Sequence, residues 1–127
     1  MSKQVISGKG IPAAIGPYSI AQAVDGWLYM SGQLPKDPVS GDLKNNIEDA
    51  TRQCMENIRA ILTAAGATFS DVVKTNIYMT NLDDFAKMNP VYESFLGDVK
   101  PCRTTVQVSR LPAGAMIEID CIARLKK

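Results

Sequence analysis

Residues 47–80 read IEDATRQCMENIRAILTAAGATFSDVVKTNIYMT, and the hydrophobic period changes once within them. In the first part Ile47, Ala50, Thr51, Cys54, Ile58, Ile61, Leu62 and Ala65 recur at the i, i+3, i+4, i+7 spacing of a single buried helix face. Asn46 stands where a side chain can cap the first turn, Glu48 and Asp49 suit its positive end, and Gly66 suits a left-handed closing position. From Val72 to Thr80 the chain turns β-branched and the period drops to two, with Val73, Thr75, Ile77 and Met79 on one side. A helix that runs almost directly into a strand sets a helical layer against a sheet.

Upstream, Tyr18 to Val24 and Trp27 to Gln33 flank Asp25-Gly26, a hairpin signal because a two-residue turn of this kind needs positive φ twice. Pro35 to Gly41 reads as a loop. Downstream, Met88, Tyr92, Phe95 and Leu96 predict a second helix closed by Gly97. Pro90 is expected at its first position with Asn89 as the cap, since proline is costly inside a helix. Arg103 to Ser109 and Met116 to Leu125 are the last strands, joined through Leu111-Pro112-Ala113-Gly114. In the final strand Ile117, Ile119, Cys121, Ala123 and Leu125 share a face, opposite Met116, Glu118, Asp120, Ile122 and Arg124. The order predicts an α+β layer, a mixed or antiparallel sheet with two helices on one face. No further element is left for the other face, and self-association covers it at least cost.

The bulk composition agrees with one compact domain spanning residues 1–127. The chain has 127 residues, 46% hydrophobic and 21% charged, which is a folding composition. Its 14 Lys+Arg against 13 Asp+Glu leave a net charge of +1, which removes the electrostatic case for nucleic acid or an anionic membrane as the main partner. Histidine is absent, so a Ser-His-Asp triad, a Cys-His dyad and histidine metal ligation are excluded. Cys54, Cys102 and Cys121 are odd in number and far apart, with no C-x-x-C pair for a zinc knuckle or thioredoxin-like site. No apolar stretch of signal-peptide length follows Met1, and no run approaches a membrane span. The expectation is a reduced, cytoplasmic protein without a metal.

Few residues offer chemistry. Arg103 opens a strand and presents a rigid fork for a carboxylate, although an edge-strand arginine looks the same. Glu118 and Asp120 lie on one strand face and could divide acid and base roles, although charged outer faces share that spacing. Gly16-Pro17-Tyr18 and Ser31-Gly32-Gln33 set glycine beside polar groups near strand ends, where a ligand or merely a turn can be close. Neither is a phosphate loop. Met55, Met79, Met88 and Tyr92 read as core, and Cys102 and Cys121 as inert thiols.

Together these segments form a pattern. Ile15-Gly16-Pro17-Tyr18-Ser19, Ser31-Gly32-Gln33, Asn57, Ala65-Gly66, Met88-Asn89-Pro90-Val91-Tyr92 and Pro101-Cys102-Arg103, continued by Val106, Arg110-Leu111-Pro112 and Ile117-Glu118-Ile119, resemble the reactive-intermediate imine/enamine deaminases, the RidA/YjgF family, over nearly the whole chain. The resemblance implies a chorismate-mutase-like fold and a homotrimer with a central barrel and three clefts between subunits. It implies that Arg103 holds a substrate carboxylate, that Glu118 positions or activates water, and that Tyr18, Ser31, Gly32, Asn89 and Thr105 line the cleft. Thr105 stands where the family often has cysteine, and Ile20 where glutamine is frequent. The implied activity is hydrolytic deamination of 2-aminoacrylate-type enamines and imines, released by amino-acid dehydratases, to 2-oxo acids and ammonia. An imine is reactive enough to need no cofactor. The alternatives are a non-catalytic 2-oxo acid-binding protein and, with less support from a histidine-free chain, a ribonuclease or translation inhibitor.

Overall fold

The computed structural model describes residues 2–126; Met1 and Lys127, the ends of the expected 1–127 domain, lie outside the described residues. Asp25 and Gly26 take φ of 53° and 82°, the paired positive values of a tight hairpin turn. They join β2 (Ala21–Val24) to β3 (Trp27–Met30), with Val24 opposite Trp27. Both strands are shorter than expected, and the pairing ends with the Ser31 N–H donating to the Ile20 carbonyl at 2.8 Å. A two-residue strand at the edge, β1 (Gln4–Val5), carries no sequence signal of its own.

The first helix, α1 (Ile47–Ala64), has its expected cap: the Asn46 side chain accepts from the Asp49 N–H at 2.9 Å. Gly66 takes the left-handed conformation after its end, with φ 77°. The strand β4 (Val72–Met79) follows. Here the expectation is corrected at one residue. A register shift between Val72 and Lys74 turns Val73 outward, so the buried face is Val72, Thr75, Ile77 and Met79.

The second helix also differs from expectation. It is α2 (Phe85–Glu93), with Pro90 inside it and Asn89 on its surface rather than at its cap. A 3-10 turn over Leu82–Asp84, capped by the Asn81 side chain and tied by the Leu82 N–H to Gln107, starts the helix early. Proline forgoes one backbone bond there, and burial of Met88, Val91 and Tyr92 around it offsets the loss. Gly97 does not close the helix: the chain tightens through Phe95 and Leu96, and Gly97 is not left-handed. The remaining strands are β5 (Cys102–Gln107) and β6 (Ile117–Arg124).

The sheet order is β1-β2-β3-β6-β4-β5. All pairs are antiparallel except β4 with β5, which α2 joins as a parallel crossover. Leu28, Ile77, Met79, Ile117, Ile119 and Cys121 form the sheet side of the core, against Cys54, Met55, Ile58, Ile61 and Leu62 of α1 and Met88 and Tyr92 of α2. The opposite face carries Tyr29, Tyr78, Glu118, Asp120 and Ile122. Among the described residues no helix or strand lies over it, and Tyr29 remains 47% exposed.

Candidate active site

Arg103 lies opposite Thr75 in the parallel β4–β5 register, so its side chain leaves the sheet on the helix side. Three neutral groups from α2 hold it. Its Nη1 donates to Asn89 Oδ1 at 2.8 Å, and the guanidinium stands 5.3 Å from the ring centroids of both Phe85 and Tyr92. The Tyr92 hydroxyl is fixed in turn, 2.7 Å from Thr75 Oγ1. The guanidinium opens into a cavity of about 370 Å³ lined by Tyr92, Leu96 and Pro101, with Glu93 and Lys100 also on its wall. A planar cation held beside two rings, facing a mostly apolar cavity, is suited to a small carboxylate.

Glu118 leaves β6 on the other side of the sheet, where the β4–β6 register sets it opposite Tyr78. It reaches over Gly32, where an added Cβ would overlap the carboxylate, so any side chain at 32 would have to displace Glu118. The stretch around Gly32 is secured from beneath. Gln33 exchanges backbone bonds with Ile119 at 2.7 and 3.1 Å, Cys54 Sγ donates to the Gln33 carbonyl at 3.2 Å, and Asn57 Nδ2 donates to the carbonyls of Leu34 and Lys36 at 3.1 and 2.9 Å. Ser31 Oγ donates to the Ser19 carbonyl at 2.7 Å. Tyr18, Ser31, Gly32, Pro112 and Glu118 surround a second cavity of about 380 Å³. Burial, and to a lesser degree the Asp120 carboxylate, push the Glu118 carboxyl above its ordinary range. Asp120 accepts from Asn76 Nδ2 at 2.8 Å.

The expected site residues therefore fall into two groups. Arg103 and Asn89 meet at one cavity, and Tyr18, Ser31, Gly32 and Glu118 meet at another, on opposite sides of one sheet. Thr105 lines neither; its buried Oγ1 has no hydrogen-bond partner. Phe85 and the second role of Tyr92 were not legible in the sequence. Phe85 and Asn89 are four apart on one helix face, and that relation shows only once the helix is known to begin at Phe85. The buried thiols are quiescent: burial, with Asp120 adding to it, pushes Cys121 up to about 12, and burial raises Cys54 as well. Among the described residues no helix is long and apolar enough to cross a membrane, and no three potential ligands cluster for a metal.

Residues 9–125 match the family model described as endoribonuclease L-PSP. The RutC family protein PH0854 of Pyrococcus horikoshii is 48% identical over 95% of this chain and 97% of its own length. The 2-iminobutanoate/2-iminopropanoate deaminase of Bos taurus is 42% identical over 95% of this chain and 89% of its own. Among solved structures, the Rid family protein YyfA from Yersinia pestis superposes with a TM-score of 0.94 at 47% identity, covering 98% of this chain and 100% of that one. Escherichia coli TdcF with bound serine superposes with a TM-score of 0.93 at 36% identity, covering 97% and 99%. With full-length identity near one half and the same two-helix, six-strand layer, the chain belongs to the RidA/YjgF family, whose members include the RutC-type proteins.

Proposed function

We propose that the protein hydrolyses 2-imino acids, with their enamine tautomers such as 2-aminoacrylate, to 2-oxo acids and ammonia, at a site made by two copies of the chain. The observation that carries this reading is the separation of Arg103 from Glu118 by the sheet, together with the uncovered face beside Glu118. Each half is chemically incomplete. Closed cyclic association, as a homotrimer around the bare sheet faces, brings the Arg103 cavity of one copy against the Glu118 cavity of the next. The bovine relative's name supplies the reaction class, and serine bound to the E. coli structure is a ligand of the expected size with a carboxylate.

In this site Arg103 fixes the substrate carboxylate in one pose, with Leu96 and Pro101 beside the aliphatic part. Glu118 of the neighbouring copy takes a proton from water as its oxygen bonds to the imine carbon. The nitrogen gains protons, the carbon–nitrogen bond breaks, and the carbonyl forms as ammonia leaves. Tyr18, Ser31 and Gly32 shape the water side, Asn89 steadies the guanidinium, and Thr105 supports the strand that carries it. The unpaired cysteines accord with a cytoplasmic setting.

The test is complementation. Arg103→Lys and Glu118→Gln proteins are each assayed for ammonia release from imine made by a pyridoxal-phosphate threonine dehydratase, then unfolded together and refolded. A two-copy site restores about a quarter of wild-type turnover on random 1:1 assembly, because half of the sites receive each intact group. A site within one copy restores none. Light scattering should give three times the chain mass, and RNA should be cleaved no faster than by a mock purification.

A further inference from the structure

Two carboxylates stand on the open side of β6, and their surroundings differ. Glu118 faces a cavity; Asp120 does not line it. Asp120 is instead engaged across the β4–β6 pair, where its register partner Asn76 donates to it at 2.8 Å. The Tyr78 phenol lies beside it as well, and is pushed up by burial and by that carboxylate. One carboxylate is thus tethered away from the cavity and the other lines it, two residues along the same strand.

Within one copy the other groups around Glu118 leave this pairing uncompensated; in the proposed assembly Arg103 of the next copy adds a cation, which is the same in wild type and in variants of Asp120. From β4 it faces Tyr78, and across the cavity Tyr18; the buried Cys54 of α1 lies on the other side of the sheet. Lys36 lines the adjoining cavity rather than this one, and Lys74 is drawn across β5 to Thr104 Oγ1 at 2.8 Å. Among the described residues of the same copy no cation lines the Glu118 cavity.

We propose that Asp120 is a positioning residue for the hydrolysis: it holds a fixed negative charge beside Glu118, so that Glu118 both accepts and returns a proton within one turnover. The inference rests on reading Glu118 as the group that activates water. The reaction requires both directions of transfer. As the water oxygen bonds to the imine carbon, one water proton goes to the Glu118 carboxylate and the electrons of the C=N π bond go to nitrogen. That proton is passed to nitrogen. The new hydroxyl then loses its proton to the same carboxylate, the C–N bond breaks, the carbonyl forms, and the proton leaves with ammonia. A carboxyl of ordinary acidity accepts weakly and returns well; a neighbouring negative charge makes it the stronger acceptor that the first step needs. The tether explains why these roles are not exchanged.

The test combines two titrations of the folded protein. The first follows the Glu118 side-chain carbon by ¹³C NMR without substrate. The second measures kcat/KM for dehydratase-generated imine against pH, with the dehydratase in excess throughout. Removing a unit charge about 6–7 Å along the strand should lower a carboxyl by roughly 0.5–1 pH unit. Asp120→Asn, which keeps the acceptor for Asn76, should therefore move both the NMR titration and the acid limb of kcat/KM down by that amount. Asp120→Glu, which keeps the charge, should leave both near the wild-type position, and it tests the same point independently should the asparagine variant fold poorly. Superimposable curves for wild type and Asp120→Asn in an active protein overturn the role of Asp120 alone. A wild-type protein that leaves imine hydrolysis at its spontaneous rate overturns the proposed reaction instead, whatever the NMR titration shows.

Discussion

The two sides of the sheet hold their functional side chains by different means. Arg103 is fixed by neutral groups, two aromatic faces and an amide oxygen, which constrain where the cation sits without altering its charge. Glu118 is set by the close backbone of Gly32, and its neighbours act on its charge: burial and Asp120 both disfavour ionisation. The contrast suits the tasks proposed for them. An anchor for a carboxylate must stay cationic and keep its plane, whereas a proton carrier must change charge readily. Rigidity serves the first and electrostatic neighbours serve the second.

Four experiments would break or sharpen that contrast. The largest effect is expected from Glu118→Gln, which keeps shape but loses the base. Turnover should slow by about 10²–10⁴-fold, while binding of 2-oxobutyrate, followed by calorimetry, stays near wild type. Weakened binding of comparable size would make Glu118 an anchor as well. Arg103→Lys should injure both quantities, by about 2–4 kcal/mol in binding and in kcat/KM, because a point donor replaces a planar fork. Gly32→Ala should displace the Glu118 carboxylate without touching the Arg103 cavity. Imine turnover should then fall by roughly tenfold to a hundredfold with 2-oxobutyrate affinity unchanged, a split that ordinary misfolding would not give.

The smallest effect concerns stability and pH. Folding raises the Glu118 carboxyl, so the folded state holds that proton more tightly than the unfolded chain. Its contribution to stability is therefore greatest at low pH and declines as pH rises from the ordinary glutamate range through the raised value. Glu118→Gln removes this decline. Thermal melts should show the variant gaining on wild type as pH increases across that window, and parallel curves would mean that burial does not act on this carboxyl.

Local signals served where one residue type has one physical use. Asp25-Gly26 specified its turn, and Asn46 and Gly66 marked the ends of α1, because caps and positive φ depend on neighbours in sequence. Two expectations failed where a distant contact decided the outcome. The start of α2 depends on Gln107 receiving the Leu82 N–H, twenty-five residues away, which no local rule for Pro90 could include. Val73 turned outward because of a shift in pairing with β6, and its alternating neighbours gave no sign of it. At the site, the resemblance named Arg103, Asn89 and Glu118 individually. Their separation by the sheet is a matter of strand register, and Phe85 stayed hidden behind the misplaced helix start.

The position of β6 has a consequence for synthesis of the chain. It is the last of the described strands in chain order, yet it sits between β3 and β4, pairing Leu28 with Ala123 and Ile77 with Ile119. Until residues 117–124 are free to pair, the nascent chain holds a small hairpin sheet and a separate two-strand unit, each with an unpaired edge and an exposed apolar side. Nothing earlier in the chain can close that gap. A chain that ends before residue 117 therefore carries two sticky edges, and quality-control proteases should distinguish it sharply from one that includes β6.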